Sequence, residues 1–260
     1  MKEQIQNILN YFGYQIIKIN RENKYNLDTA AKILIKDKRP IIFDVGANKG
    51  QSIIRYNKIF KKPTIHAFEP LKDEIDILKK DYGDDESIII NNLAVGDKEQ
   101  ELEFKLYARR KASSFLNVRD DSKWLDEKIK QTKTNKEKFT ERFTTKVITL
   151  DNYAKSNNIE KIDILKIDTQ GYEDKVLKGA EGLIKRNEIK IIELEIVFSE
   201  IYEKNLQIYD VEKILIPNNY KLFGISQGGN LFSNFIYQTD FLYISEDTYL
   251  EFKNSKYFNN

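Results

Sequence analysis

An apolar run, Ile41-Ile42-Phe43, passes through Asp44 and Val45 straight into Gly46-Ala47-Asn48-Lys49-Gly50, and a helical pattern follows. Few architectures accept that order. A buried strand that breaks into a glycine-punctuated turn and then a helix is how a parallel sheet brings a ligand to the crevice at its carboxyl end. Gly46 and Gly50 let the backbone turn tightly and approach a bulky ligand with no Cβ in the way. Asp44, at the end of the strand, is placed to meet a cationic amine or a hydroxyl. Glycine-rich turns are common in themselves. This one has a sequel: a second apolar run, Thr64-Ile65-His66-Ala67-Phe68, ends in Glu69, roughly 20–25 residues on, the usual distance for a ribose-binding acid.

Strand and helix alternate from Pro40 onward. The pattern predicts a strand over 40–45, a helix over about 50–60 and a strand over 64–69. A helix carrying Leu71, Ile75 and Leu78 follows, with Pro70 suited to its first position, and then a strand over 87–91. Such alternation implies right-handed crossovers and a parallel sheet. The rhythm breaks between Val95 and Leu150. Residues 101–107 and 142–149 read as strands, and the mixed-charge stretch 119–141 reads as a solvated helix or loop, in a position that also suits a lid. Beyond it, Asp151 caps a short helix ending near Asn158, and 162–167 is a buried strand. Val176, Leu177, Ala180, Leu183 and Ile184 trace one helix face. A strand over 188–197, a helix marked by Ile208, Val211, Ile214 and Leu215, and strands over 220–225 and 241–244 complete the chain.

Ahead of Pro40, Ile5, Ile8, Leu9 and Phe12 share one helical face, and Ala30, Ala31, Ile33 and Leu34 mark a second helix begun at Asp28. Such a preface covers a ligand, forms a homodimer contact or closes the sheet's edge, the last being the plainest reading. The expected division is a helical extension over 1–39 and one domain over 40–260, with a charged insert at about 108–142. Forty-three basic against 41 acidic residues give +2, so no bulk field favours nucleic acid or an acidic membrane. Without cysteine there is no thiolate nucleophile or thiolate metal site. No apolar stretch is long enough to span a bilayer, and the first residues lack a signal-peptide core, which leads us to expect a cytoplasmic protein.

Asp44, Glu69 and Asp168, the last opening Asp168-Thr169-Gln170-Gly171, each close a predicted parallel strand. Strand ends cluster at one edge of a sheet, so the three carboxylates are expected in one crevice, although each alone also suits a cap or turn. Glu193 and Glu195 alternate within a buried strand and face one side. Carboxylates there need a partner: a salt bridge to a lysine, or a place in the crevice beside Asp168. Two such oxygens fall short of a full divalent-cation site, which leaves a metal at Asp168 and Glu195 an open question. His66, the only histidine, lies inside a strand and reads as a core residue more than a general base. Trp124 reads as core material, or as a ring-stacking residue on a lid.

The ordered set Phe43-Asp-Val-Gly-Ala-Asn-Lys-Gly50, Ala67-Phe-Glu-Pro70, Asn92-Leu-Ala94, Thr149-Leu-Asp151, Leu165-Lys-Ile-Asp168, Gly171-Tyr-Glu173 and Leu177-Lys-Gly-Ala180 resembles the FkbM family of S-adenosylmethionine-dependent methyltransferases over about residues 40–245. The resemblance implies an α/β, Rossmann-like class I methyltransferase fold: a mixed seven-stranded sheet, last strand antiparallel, flanked by helices. It implies that Asp44, Gly46, Ala47, Asn48 and Gly50 cradle the methionine portion of the cofactor. Glu69, with Pro70 beside it, would accept hydrogen bonds from both ribose hydroxyls. Asn92 and Ala94 would border the adenine, and Ser113 and Ser114 would lie near the methionine carboxylate or the acceptor. Where the family usually carries Glu, this chain has Gln170. That leaves Asp168 as the better candidate at the strand end, for cofactor contact or as general base, with Glu195 assisting or binding a cation.

Family members methylate hydroxyls of sugars and natural products. The expected acceptor is therefore a sugar hydroxyl, on a nucleotide-activated sugar or a glycan precursor of a surface polysaccharide, with Arg109, Arg110 and Lys111 available to a diphosphate. Two rivals stay open at this point. An NAD-dependent oxidoreductase would carry Gly-x-Gly-x-x-Gly after the first strand, which this chain lacks. A non-catalytic nucleotide-binding module would keep the fold without the reaction.

Overall fold

A computed structural model of the protein describes residues 27–108, 110–135, 138–226 and 237–258. The helix expected around Ile5–Phe12 lies outside them. The first described helix, α1 (Leu27–Leu34), leads to β1 (Ile41–Val45), α2 (Gln51–Ile59), β2 (Thr64–Phe68), α3 (Lys72–Tyr82) and β3 (Ile88–Asn91). A small sheet interrupts the series, made of β4 (Ala94–Val95), β5 (Gln100–Tyr107) and β6 (Thr140–Ile148) in the order β4-β6-β5. Then come α5 (Leu150–Ser156), β7 (Ile162–Ile167), α6 (Glu173–Lys178), α7 (Glu181–Lys185), β8 (Ile189–Val197), α8 (Ile208–Leu215), β9 (Lys221–Ile225), β10 (Gln238–Ile244) and α9 (Glu246–Lys253). Helix α4 (Lys123–Thr132) lies between β5 and β6.

The main sheet runs β3-β2-β1-β7-β8-β10-β9. Its first five strands pair parallel, and β10 runs antiparallel to both neighbours, the class I arrangement expected from the sequence. Strand alternation sorts the side chains into two layers. Phe43, Val45, Leu165, Ile167, Ile192 and Leu194 face one core, and Ile42, Ile65, Ile164, Ile191 and Leu242 face the other, against residues of α1, α2 and α3. Each of these isoleucines is fully buried, worth about 1.5–3 kcal/mol per side chain. On the second face the apolar series stops short of the carboxyl ends. The next positions in phase are Asp44, Glu69, Lys166, Asp168, Glu193 and Glu195. One side of the sheet is thus oily at its base and charged at its rim.

Several local expectations are corrected. Pro70 precedes α3 by two residues, and Leu71 stands at its N-cap position. Asp151 does not cap its own helix, since Thr149 does so by accepting from Asn152 N. The Asp151 carboxylate instead accepts from Gly182 N (2.8 Å) and Leu183 N (2.9 Å), starting α7 afresh, so the single helix expected through Val176–Ile184 is two. The charged stretch does hold a solvated helix, α4, capped by Ser122 and anchored by Leu125 against a cluster that includes Val118, Phe139 and Tyr202. Among the described residues no helix is long and apolar enough to cross a membrane.

Candidate active site

A cavity of about 740 Å³ opens where β1, β2 and β7 end, lined by Gly46, Glu69 and Asp168 among others. Adjacency in the sheet brings Glu69 and Asp168 to this one cavity; Asp44, expected there too, is fully buried and does not line it. The loop after β1 is held down by two amides, Gly46 N and Ala47 N, each donating to Phe68 O at 3.0 Å. Gly46 has φ +87°, and a Cβ there would lie 2.0 Å from Asp168 O, so only glycine permits this approach of loop to strand. Gly50, with φ +86°, has a different task from the one expected. A Cβ there would meet Tyr82 Cε2 at 2.8 Å, so its bareness serves the packing of α2 on α3 and not the cavity.

Asn48 N donates to Glu69 Oε2 (2.9 Å) and Leu71 N to Glu69 Oε1 (3.0 Å). Each oxygen keeps a further lone pair for a ligand hydroxyl. Burial pushes the Glu69 carboxyl up to about 7 against the pull of those two amides. Pro70 and Ala94 line the cavity, and Leu93 joins them. Asn92 does not. Its amide donates to Glu69 O and Pro70 O, both at 3.0 Å, and so braces the turn from outside.

Asp44 is fully buried; neither of its carboxylate oxygens makes a hydrogen bond of good geometry among the described residues, and the Ser52 hydroxyl is its nearest uncharged polar support. Lys166 Nζ stands 3.9 Å from its Oδ1 and 3.5 Å from Asp168 Oδ2. Burial raises the Asp44 carboxyl above its ordinary range while Lys166 opposes the shift. Burial alone would lower the Lys166 ammonium; Asp168 and Asp44 overcome it, and the group stands above the usual lysine value. The sequence reading assigned nothing to Lys166. A lysine in the middle of Ile162-Asp-Ile-Leu-Lys-Ile, where burial is costly, was the signal available.

Glu193 and Glu195 part ways. Glu193 pairs with Arg55 of α2, whose Nη2 lies 3.0 Å from Oε2 and whose Nε reaches Asp28 of α1. The expected salt bridge is there, but with arginine rather than lysine. Glu195 faces the cavity. Gln170 Nε2 donates both to its Oε2 (2.9 Å) and to Asp168 Oδ1 (2.8 Å), and Gln238 Nε2 donates to its Oε1 (2.6 Å). Burial, with Asp168 and Asp240 adding to it, pushes Glu195 up to about 8. One neutral amide thus ties together the two acids that were candidates for catalysis. Among the described residues no cluster of three or more His, Cys, Asp or Glu is arranged to hold a metal ion.

The acceptor side also differs from expectation. Ser113 lines the cavity and accepts from Tyr107 N (3.1 Å), whereas Ser114 is fully buried and donates to Gln170 O (2.9 Å), pinning the insert to the strand end. Arg110 reaches the cavity wall but is spent on Glu74 Oε1 (2.9 Å) and Asp73 Oδ2 (3.0 Å); Arg109 lies outside the described residues. Trp124, Glu127 and Lys128 of α4 border the same cavity, as a lid would. His66 is a core residue, its Nδ1 2.8 Å from Tyr153 Oη and its pKa lowered to about 4 by burial.

The residues present suit an adenosyl amino acid: a cavity-lining loop with no Cβ at Gly46, a buried lysine, Lys166, at the wall, and an amide-held acid one strand away. A family model described as the methyltransferase FkbM domain matches residues 44–222. No curated protein matches the chain in sequence. Among solved structures, a magnesium protoporphyrin IX methyltransferase from Synechocystis PCC 6803 with bound SAM is 10% identical, with 94% of this chain and 97% of that chain covered and a TM-score of 0.44. A putative RNA methyltransferase from Pyrococcus horikoshii is 10% identical, with 84% and 81% covered and a TM-score of 0.44. An rRNA methylase from Streptococcus thermophilus is 10% identical, with 86% and 98% covered and a TM-score of 0.45.

Proposed function

The chain belongs to the FkbM methyltransferase family, and from that premise we propose that it moves the methyl group of S-adenosylmethionine to a hydroxyl of a sugar, on a nucleotide-activated sugar or a glycan precursor. The donor supplies a methyl group already activated on sulfonium. What remains for the protein is to align an acceptor oxygen, shut out water and take a proton. The Gly46–Asn48 turn and Lys166 would hold the methionine portion, and Glu69 the ribose. Leu93 and Ala94 would border the base. Residues 40–260 act as the catalytic domain in this reading, with 108–142 as an insert over the site and 1–39 as an extension.

The observation that carries the reading is the pair Asp168 and Glu195, joined by the Gln170 amide at the cavity wall. An alcohol is a weak nucleophile until its proton begins to leave. Asp168 is the group assigned to accept that proton, its charge supported by Lys166 at 3.5 Å. Glu195 assists, as a second acceptor when ionised. Toward solvent the wall offers Trp124 for a sugar ring and Lys111 and Lys128 for phosphate oxygens. Arg110, already held by two acids, is not needed for that contact. Incubation with methyl-labelled donor and a panel of UDP- and GDP-sugars, read by mass spectrometry, tests the reading. A labelled sugar ring is the expected product; label found only on protein, nucleic acid or a nitrogen acceptor would refute it.

A further inference from the structure

Gln170 stands between the two acids of the cavity wall, and both hydrogens of its amide nitrogen are already in use. One goes to Asp168 Oδ1 (2.8 Å) and the other to Glu195 Oε2 (2.9 Å). Turning the amide over would aim Oε1 at two carboxylates instead of at the Tyr202 hydroxyl, 3.5 Å away, so its orientation is fixed. The backbone beneath it is fixed as well. Gln170 O accepts from Ser114 Oγ (2.9 Å), and Thr169 N and Gly171 N donate to Oε1 of the buried Glu173 at 2.9 and 3.2 Å. Gln238 Nε2 holds the other Glu195 oxygen at 2.6 Å. Both acids are thus set in place before any acceptor arrives.

What this part of the wall leaves for a ligand is acceptor capacity: the remaining lone pairs of two carboxylates, with no Gln170 N–H to spare. An anionic group is repelled there, so a phosphate belongs beside Lys111 and Lys128 and the sugar ring points inward. The trigonal amide nitrogen sets the Asp168 and Glu195 oxygens about 5 Å apart, a gap that hydroxyls on neighbouring ring carbons span when each donates over about 2.7 Å. A lone hydroxyl reaches one acid only. We propose that the acceptor is a vicinal diol, whose reacting hydroxyl donates to Asp168 while the hydroxyl on the next carbon donates to Glu195. Asp168 takes the proton of the first as its oxygen takes the methyl group, the donor leaves as S-adenosylhomocysteine, and the second hydroxyl keeps its proton. Glu195 then determines specificity, and Gln170 is a positioning residue that sets the spacing. The proposal rests on the sugar-methylating reading above and adds to it which hydroxyls are taken.

Initial rates with the full chain test this. The probes are the UDP- and GDP-hexoses that take label and their analogues lacking one hydroxyl at C2, C3 or C4, measured above pH 8, the value to which burial pushes Glu195, so that it is ionised. Once the methylated position is mapped by fragmentation, one analogue deoxygenated at a neighbouring carbon should lose about 10–100-fold in kcat/KM, the scale of one hydrogen bond to a charged group. Removal of a hydroxyl elsewhere should cost less than about threefold. Glu195→Met should turn over the unmodified sugar about 10–100-fold less well and should distinguish it from that analogue by less than about threefold, because the partner of the missing hydroxyl is gone. Gln170→Met, which keeps both acids but not their spacing, should also lower the preference, and it serves if Glu195→Met does not fold. Calorimetry with S-adenosylhomocysteine, within about threefold of the original affinity, shows that a variant is folded. The proposal is overturned if no neighbouring deoxy analogue is slowed, or if either variant keeps the full preference. Label on no sugar at all would instead defeat the reading on which it rests.

Discussion

Substituting Gly46 by alanine probes the contact on which the cavity is built. Two costs are readable. At φ +87° an alanine sits in the left-handed region, at about 1–2 kcal/mol. Its Cβ would also lie 2.0 Å from Asp168 O, about 1.5 Å inside ordinary contact distance, and overpacking of that kind adds about 1–3 kcal/mol. A total of about 2–5 kcal/mol corresponds to a fall in Tm of about 5–15 °C for a chain of this size. The strain can be relieved only by moving the turn away from β7, and that breaks the register of Gly46 N and Ala47 N on Phe68 O. Displacement by about an ångström at such a site costs on the order of a hundredfold. Thermal unfolding and calorimetry with S-adenosylhomocysteine read both effects on one sample. A Gly46→Ala protein that melts and binds like the original would refute the reasoning, because the close approach would then have no consequence.

Asp168→Asn should leave donor affinity within about threefold and cut turnover by about a hundredfold or more, measured with whichever sugar acceptor is labelled; unchanged turnover removes Asp168 as the base. Arg55→Met should destabilise by about 3–5 kcal/mol in urea unfolding, because it strands the buried Glu193 carboxylate, and Arg55→Met with Glu193→Leu should recover most of that loss. If the double variant is as unstable as the single, the pair is not what holds α2 to β8. Glu69, Glu173 and Glu195 are raised by burial to about 7, 7 and 8, so the folded protein binds protons that the unfolded chain releases near 4.5. Their joint contribution is present below about 4.5 and is lost as pH rises through 7 to 8. The Tm of the ligand-free protein should therefore fall between pH 5 and 9, and a Tm rising over that range would contradict these shifts.

What the chain disclosed of itself follows from how local each signal is. Apolar runs that end in a polar residue located β1, β2 and β7 to within a residue or so, and their ends carried Glu69 and Asp168 into one cavity, whereas Asp44 is fully buried and does not line it. Contacts made across long separations were not readable. Arg55 meets Glu193 over 138 positions, and nothing near either residue announces the other. Gln170 looked like a lost charge, yet its amide is the link between Asp168 and Glu195, visible only once β7 and β8 lie side by side. Asn92 and Gly50 have the residue types of a ligand-binding turn but are used for bracing and helix packing. Lys166 was hidden because one lysine within an apolar strand is as readily an edge position as a buried one.

The structure of the protein with S-adenosylhomocysteine bound tests the central claim most directly. The account predicts ribose hydroxyls within hydrogen-bond distance of Glu69, with the amino-acid end beside Lys166 under the Gly46 turn. A nucleoside seated elsewhere, or one that leaves Glu69 untouched, would contradict it.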